Sequence, residues 1–169
     1  MDIWKIRRKE INLDDGPIVM GILNVTPDSF SDGGKFNSLD AAITHAQQMV
    51  DSGAKIIDIG GESTRPGYTM ISDEEEIERV SPVIEAIASR IDVAISIDTY
   101  KSKVAEAALK SGADIVNDVH GFRYDPKIAE VTSRYNAGAV LMANFSEKKP
   151  EEDVISYKND CYRKSLEIA

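Results

Sequence analysis

Ser52-Gly53-Ala54-Lys55-Ile56-Ile57-Asp58-Ile59-Gly60-Gly61 shows how the chain is built. The residues before it, Leu39, Ile43, Ala46 and Val50, recur at helical spacing, so they predict a helix from a cap near Ser38. Gly53 fits the position just past that helix, where a left-handed backbone is least costly for glycine. Ile56 to Ile59 is then an apolar run of strand length. The same order returns at Ser111-Gly112-Ala113-Asp114-Ile115-Val116. Helix, glycine stop and buried strand form the repeating unit.

Working outward, the pattern occurs five times. Strands are expected at 18–23, 56–59, 93–97, 115–116 and 139–142, with helices from about Ser38, after Ser72, from Lys101 to Ser111, near Pro126 to Tyr135, and from Glu151 to the chain end. Ser72 with Glu75 reads as a capping box, and Asp73, Glu74 and Glu75 suit the positive end of the helix dipole. Pro82 falls inside the stripe Ile77, Val80, Ile84, Ile87 and Ile91, where it should kink or divide the helix. Cys161 shares the face of Val154, Tyr157 and Ile168 on the last helix and reads as a buried small hydrophobe. Continuous apolar runs imply strands covered on both faces or closed into a barrel, and strand–helix alternation implies a parallel sheet. Residues before Pro17 are expected to form a small strand or hairpin. A complete (β/α)₈ barrel takes about 250 residues, so five units make either an open sheet or part of a barrel.

Residues 1–169 are read as one domain. With 29 acidic against 20 basic residues, the net charge of −9 excludes a protein that coats nucleic acid through overall charge. One cysteine excludes a disulfide framework or a multi-cysteine metal centre. No apolar stretch reaches the roughly 18 residues of a membrane span, and the start MDIWKIRRKE has no secretory apolar core. The expectation is a soluble, cytoplasmic protein.

In parallel α/β folds ligands lie at the carboxyl ends of the strands. Here those ends carry Asn24; Gly60-Gly61-Glu62-Ser63-Thr64-Arg65; Asp98-Thr99; Asn117-Asp118; and Asn144. Thr64 and Arg65 offer a hydroxyl, backbone N–H groups and a guanidinium fork, which suit a phosphate or pyrophosphate; alternatively, Arg65 pairs with one of the many acids. Asp98 can accept two parallel N–H bonds from an amino-pyrimidine edge, and Asn117 presents a donor and an acceptor; the competing role for each is helix capping, which Thr99 could fill in place of Asp98. Asn24 is either a turn residue or a neutral oxygen ligand for a Mg²⁺ that keeps most of its waters. His45 and His120 match no zinc spacing.

These segments resemble the dihydropteroate synthases, a pterin-binding family. The likeness rests on Gly21 to Gly34 (GILNVTPDSFSDGG), Asp58 to Gly67 (DIGGESTRPG), Ser96 to Lys101 (SIDTYK) and Ile115 to Val119 (IVNDV), and it runs from about Ile18 to Met142. The resemblance implies a (β/α)₈ TIM barrel, incomplete with five units. It implies a transferase that condenses 6-hydroxymethyl-7,8-dihydropterin pyrophosphate with p-aminobenzoate to form 7,8-dihydropteroate and pyrophosphate in folate synthesis. It further implies that Asn24 contacts Mg²⁺, that Thr64 and Arg65 hold the pyrophosphate, and that Asp98 and Asn117 bind the pterin edge. Thr64, Arg65 and Asp98 would then be the catalytic residues. Thr26, Pro27, Phe30 and Asp32 would belong to a loop that closes over the site and helps form the aminobenzoate pocket.

Two departures accompany the likeness. Ala143 stands where the family commonly has a histidine, and the family's later pterin- and phosphate-binding motifs have no counterpart here. The homodimer surface usual in the family is missing with them. The chain alone is therefore expected to be inactive and to self-associate through exposed strand edges. The alternatives are a non-catalytic pterin-binding part-barrel that needs a partner, and a pterin-binding methyltransferase domain. The long match around Thr26 to Gly34 disfavours the methyltransferase.

Overall fold

The computed structural model describes residues 2–26, 34–62, 70–142 and 163. The chain opens with an antiparallel hairpin, β1 (Ile3–Ile6) and β2 (Lys9–Asn12), as expected for the segment before Pro17. Five parallel strands follow in sequence order: β3 (Met20–Asn24), β4 (Ile56–Gly60), β5 (Ala94–Asp98), β6 (Ile115–Asp118) and β7 (Gly138–Leu141). Between them lie α1 (Gly34–Asp51), α2 (Asp73–Arg90), α3 (Ser102–Ser111) and α4 (Lys127–Arg134). The expected final helix and Cys161 lie outside the described residues.

The stop and start signals act as local chemistry requires. Gly53 at φ +106° ends α1, with its N–H on Val50 O at 2.9 Å and that of Ala54 on Met49 O at 2.9 Å. Gly112 at φ +123° does the same for α3. Ser72 Oγ accepts from the Glu75 N–H at 3.1 Å ahead of an acidic first turn. Two expectations need correction. The helix placed from Ser38 begins at Gly34, because a serine is tolerated inside the first turns and does not by itself fix the start. Pro82 does not divide α2, which runs unbroken from Asp73 to Arg90. The missing Pro82 N–H is outweighed by the buried stripe of Val80, Val83, Ile84 and Ile87.

The strand pleat separates two environments. Leu23, Ile57, Ile59, Ile95, Ile97 and Val116 face the helices and join Ala46, Val80, Ile84, Val104, Leu109 and Ile128 in the main core. The alternate residues Ile56, Ala94 and Ile115 meet Ile6 of the hairpin, with Trp4, Ile11 and Met20 around them. All four described helices pack on one face of the sheet. The strands are therefore not covered by helices on both sides, and the arrangement is that of a barrel wall with a hairpin plugging its amino-terminal end. Arg7 and Arg8 fasten the plug. Arg7 Nη1 donates to Leu109 O and, at 2.8 Å, to Ala113 O. Arg8 Nε reaches the fully buried Asp114 at 3.0 Å, and Asp114 also accepts the Ile95 N–H at 3.3 Å.

Candidate active site

The inner face changes character along the strands. It is apolar where the hairpin plugs it, carries Asp58 and Ser96 at mid-height, and ends in Asn24, Gly60, Asp98 and Asn117. The parallel register makes that last set a row: Asn24 pairs with Gly60, Gly60 with Asp98, and Asp98 with Asn117. Gly60 leaves a gap in the middle. A Cβ there would sit 3.6 Å from both Asn24 Oδ1 and Asp98 Oδ2, so these two side chains flank it. Thr26 follows the row, half-buried, at the end of β3. Pro27, Phe30, Asp32, Thr64, Arg65, Ala143 and Asn144 lie outside the described residues. Three of the expected site residues, Asn24, Asp98 and Asn117, therefore share one mouth.

The alternative role of helix capping does not occupy Asp98. The α3 cap position is Lys101, with no side-chain cap bond; Thr99 Oγ1 accepts the Lys101 N–H at 3.3 Å, and Asp125 accepts the Ser102 N–H at 2.9 Å. Among the described residues no hydrogen bond reaches the Asp98 carboxylate. Burial, helped by the negative charges of Asp58, Glu76 and Asp118, pushes its pKa up to about 7. Asn117 Nδ2 donates to Asp58 Oδ2 at 3.0 Å, which leaves its carbonyl oxygen as an acceptor at the mouth. Asp118, by contrast, is structural: its carboxylate accepts the His120 and Phe122 N–H groups at 2.7 and 2.8 Å and closes the following turn.

Asp58 went unrecognised as a site residue in the sequence. It is 4% exposed, burial raises its pKa against the opposing influence of Ser96 and Asn117, and its Oδ1 has no hydrogen-bond partner among the described residues. The buried Ser96 Oγ, opposite Asp58 on the neighbouring strand, is near enough to favour the ionised carboxylate but makes no hydrogen bond of good geometry. The available signal was a carboxylate inside an apolar strand two residues before Gly60, which puts both on one face. Buried polar atoms left open cost roughly 1–3 kcal/mol each unless a ligand or water completes them. The wall thus offers two carboxylates and an amide oxygen to a flat ligand rich in N–H groups.

The two adjacent glycines should respond differently to a methyl group. At Gly61 a Cβ would lie 2.7 Å from Val80 Cγ1 and 3.0 Å from Glu76 Cγ, so Gly61→Ala should cost about 1–3 kcal/mol through overpacking. At Gly60 the nearest atoms stand at ordinary contact distance, so Gly60→Ala should melt within a degree or two of the parent while its methyl intrudes on the row. Thermal unfolding of both variants checks this, and equal destabilisation would show that the Gly60 site cannot take a methyl group without strain.

Among the described residues no three His, Cys, Asp or Glu side chains cluster as a metal site, and no helix is long and apolar enough to cross a membrane. The exposed amide oxygen of Asn24 is a hard neutral donor, which fits a Mg²⁺ ion that draws its other ligands from water and substrate. A groove of about 320 Å³ lined by Val19, His45, Gln48 and Met49 lies along β3 and α1, away from this row, and brings no carboxylate to a ligand.

The comparisons agree with the geometry. The dihydropteroate synthase of Clostridium beijerinckii is 51% identical over 160 residues, which cover 93% of this chain and 60% of that protein. The Bacillus subtilis dihydropteroate synthase is 59% identical over 131 residues, covering 78% of this chain and 46% of that protein. A crystal structure of the Clostridium difficile dihydropteroate synthase in the presence of pteroic acid superposes with a TM-score of 0.86 at 48% identity, over 98% of this chain and 60% of that one. The chain thus spans about 60% of the relatives it matches, or less, and its five parallel strands with the described helices correspond to part of a (β/α)₈ barrel. The model of the pterin binding enzymes matches residues 20–168, and the chain belongs to that family.

Proposed function

We propose that Asp98 and Asn117, backed by Asp58, hold the amino-pyrimidine edge of a pterin, and that the barrel to which this chain contributes five parallel strands is a dihydropteroate synthase. The observation that carries the reading is the surplus of acceptors: Asp98 and Asp58 Oδ1 have no donors among the described residues, and a 2-amino-4-oxo-pyrimidine presents adjacent N–H groups. The reaction then joins 6-hydroxymethyl-7,8-dihydropterin pyrophosphate to p-aminobenzoate. The C–O bond to pyrophosphate breaks, positive charge spreads from the methylene into the pterin, and the aryl amine attacks that carbon and loses a proton.

The chain's own residues supply electrostatics to this step. Burial favours the neutral form of Asp98 and Asp58 in the free protein; the cationic pterin would draw the Asp98 carboxylate into its ionised form and be stabilised by it. Thr64 and Arg65 would take the developing charge on pyrophosphate, and the connection with Thr26, Pro27, Phe30 and Asp32 would exclude water and receive the aminobenzoate. Asn24 would be the protein ligand of a Mg²⁺ that neutralises charge on the pyrophosphate. Soluble substrates and a single cysteine suit the cytoplasm.

Mixing tests the reading. The 169-residue chain should form no pteroate alone and should do so when combined with the carboxyl-terminal remainder of the Clostridium beijerinckii relative. Failure of the mixture to turn over, with both pieces folded and associated, would refute it.

A further inference from the structure

The buried carboxylates around the sheet are of two kinds. Glu62, Glu76, Asp114 and Asp118 have donors of their own. Lys101 Nζ serves the first two, donating to Glu62 Oε2 at 2.7 Å and to Glu76 Oε2 at 2.8 Å. Asp114 is held by Arg8 and the Ile95 N–H, and Asp118 by the two N–H groups of its turn. Asp58 has no cation and no backbone N–H of this sort among the described residues. Its one well-formed hydrogen bond there comes from Asn117, whose Nδ2 lies 3.0 Å from Asp58 Oδ2.

That bond decides what Asn117 shows to a ligand. An amide side chain has a donor end and an acceptor end of nearly equal shape, so a half-buried asparagine can present either. Asn117 pairs with Asp98 across β5 and β6, while Asp58 stands on β4 one layer lower on the same inner face. Left unclaimed, the Nδ2 donors could turn to the neighbouring Asp98 carboxylate and occupy the acceptor that a ligand needs. Asp58 Oδ2 accepts, so it takes the donor end and leaves the acceptor end at the mouth. Asp98 and the Asn117 carbonyl then stand side by side as acceptors.

We infer that Asp58 is a positioning residue, which by holding the donor end of Asn117 makes the site prefer a ring edge with an amino group over one with a carbonyl at the same place. The inference rests on the pterin reading above. The preference passes through Asn117, and so it must vanish as an effect of Asp58 once the Asn117 amide is gone.

A double-mutant cycle on the 169-residue chain tests this, with Asp58→Asn, Asn117→Ala and the two combined. Asp58→Asn keeps the shape of the side chain but can donate as well as accept, so it no longer selects one end of the Asn117 amide. The probes are 6-hydroxymethylpterin and 6-hydroxymethyllumazine, in which a carbonyl replaces the 2-amino group. Titration calorimetry should show the parent binding the pterin at least tenfold more tightly, and Asp58→Asn should cut that preference about tenfold. In the Asn117→Ala background the same substitution should leave the preference unchanged. Hydrogen exchange should show the Asn117 side-chain amide losing protection in Asp58→Asn while the backbone amides of β4 and β6 keep theirs. Asp58→Ala, which frees the Asn117 amide outright, takes its place if Asp58→Asn fails to fold. A parent preference that the Asp58 variants leave untouched, an equal fall in the Asn117→Ala background, or unfolding of both variants would overturn the inference alone. A parent that binds neither compound, or both alike, overturns the pterin reading and the inference with it.

Discussion

Asp98→Asn is expected to weaken pterin binding by about 100- to 1,000-fold while leaving the fold intact. A carboxylate that accepts two N–H bonds makes charge-assisted contacts, and removing one partner of such a pair typically costs about 2–5 kcal/mol. The asparagine compounds the loss by turning an N–H donor toward the donors of the ring. Asn117→Ala should cost less, since the Asn117 amide already spends its donor on Asp58 at 3.0 Å. Titration calorimetry on both variants checks the order.

The same carboxylate makes binding depend on pH in a definite direction. In the free protein Asp98 holds its proton up to about pH 7 because it is buried and faces Asp58, Glu76 and Asp118. The ring N–H groups need it ionised, so affinity should fall as pH drops below about 7, by up to tenfold per unit, and level off above. Stability of the free protein runs the other way. As pH rises from the ordinary carboxylate range toward 7, the unfolded chain gives up this proton and the folded chain keeps it, so this contribution to stability declines across that window. Asp98→Asn should abolish both trends. A pH-independent affinity in the parent would sink the assignment.

Phe122→Ala should be the most damaging single change to the fold among those considered, at about 3–5 kcal/mol of a total that is usually 5–15 kcal/mol. Phe122 is 1% exposed and fills the core beneath the β6–α4 connection, yet it sits at φ +64°, where a non-glycine residue is strained. Its N–H is held by Asp118, the residue after Asn117. The ring therefore anchors the turn that fixes one end of the ligand-binding row. Urea unfolding should show the loss, and the surviving folded fraction should bind pterin less well. A stability change under 1 kcal/mol would mean that the turn is held by Asp118 alone.

Phe122 also shows where sequence reasoning stops. The strands and helices were readable because each is signalled within a few residues, by Gly53 and Gly112 at helix ends, by Ser72 with Glu75, and by apolar runs of the right length. The row of Asn24, Asp98 and Asn117 followed from a positional rule about strand ends, and its register needed only the parallel pairing. Contacts between distant residues had no such signal. Asp58 looked like an interruption in a strand, Lys101 like the start of a helix, and Phe122 like part of a polar loop. Their roles come from what the fold places beside them: Asn117 for Asp58, Glu62 and Glu76 for Lys101. Pro82 leaves α2 undivided for the complementary reason, since its local penalty is outweighed by tertiary burial of the stripe around it.

Side-chain amide spectra during pterin titration decide whether this row is the binding surface. On adding 6-hydroxymethylpterin, the resonances of Asn24 and Asn117 should shift together and saturate with one affinity, while those of Asn12 and Asn136, at the hairpin end of the sheet, stay in place. Shifts confined to Gln48 and the β3–α1 groove, with Asn24 and Asn117 unmoved, would contradict the account.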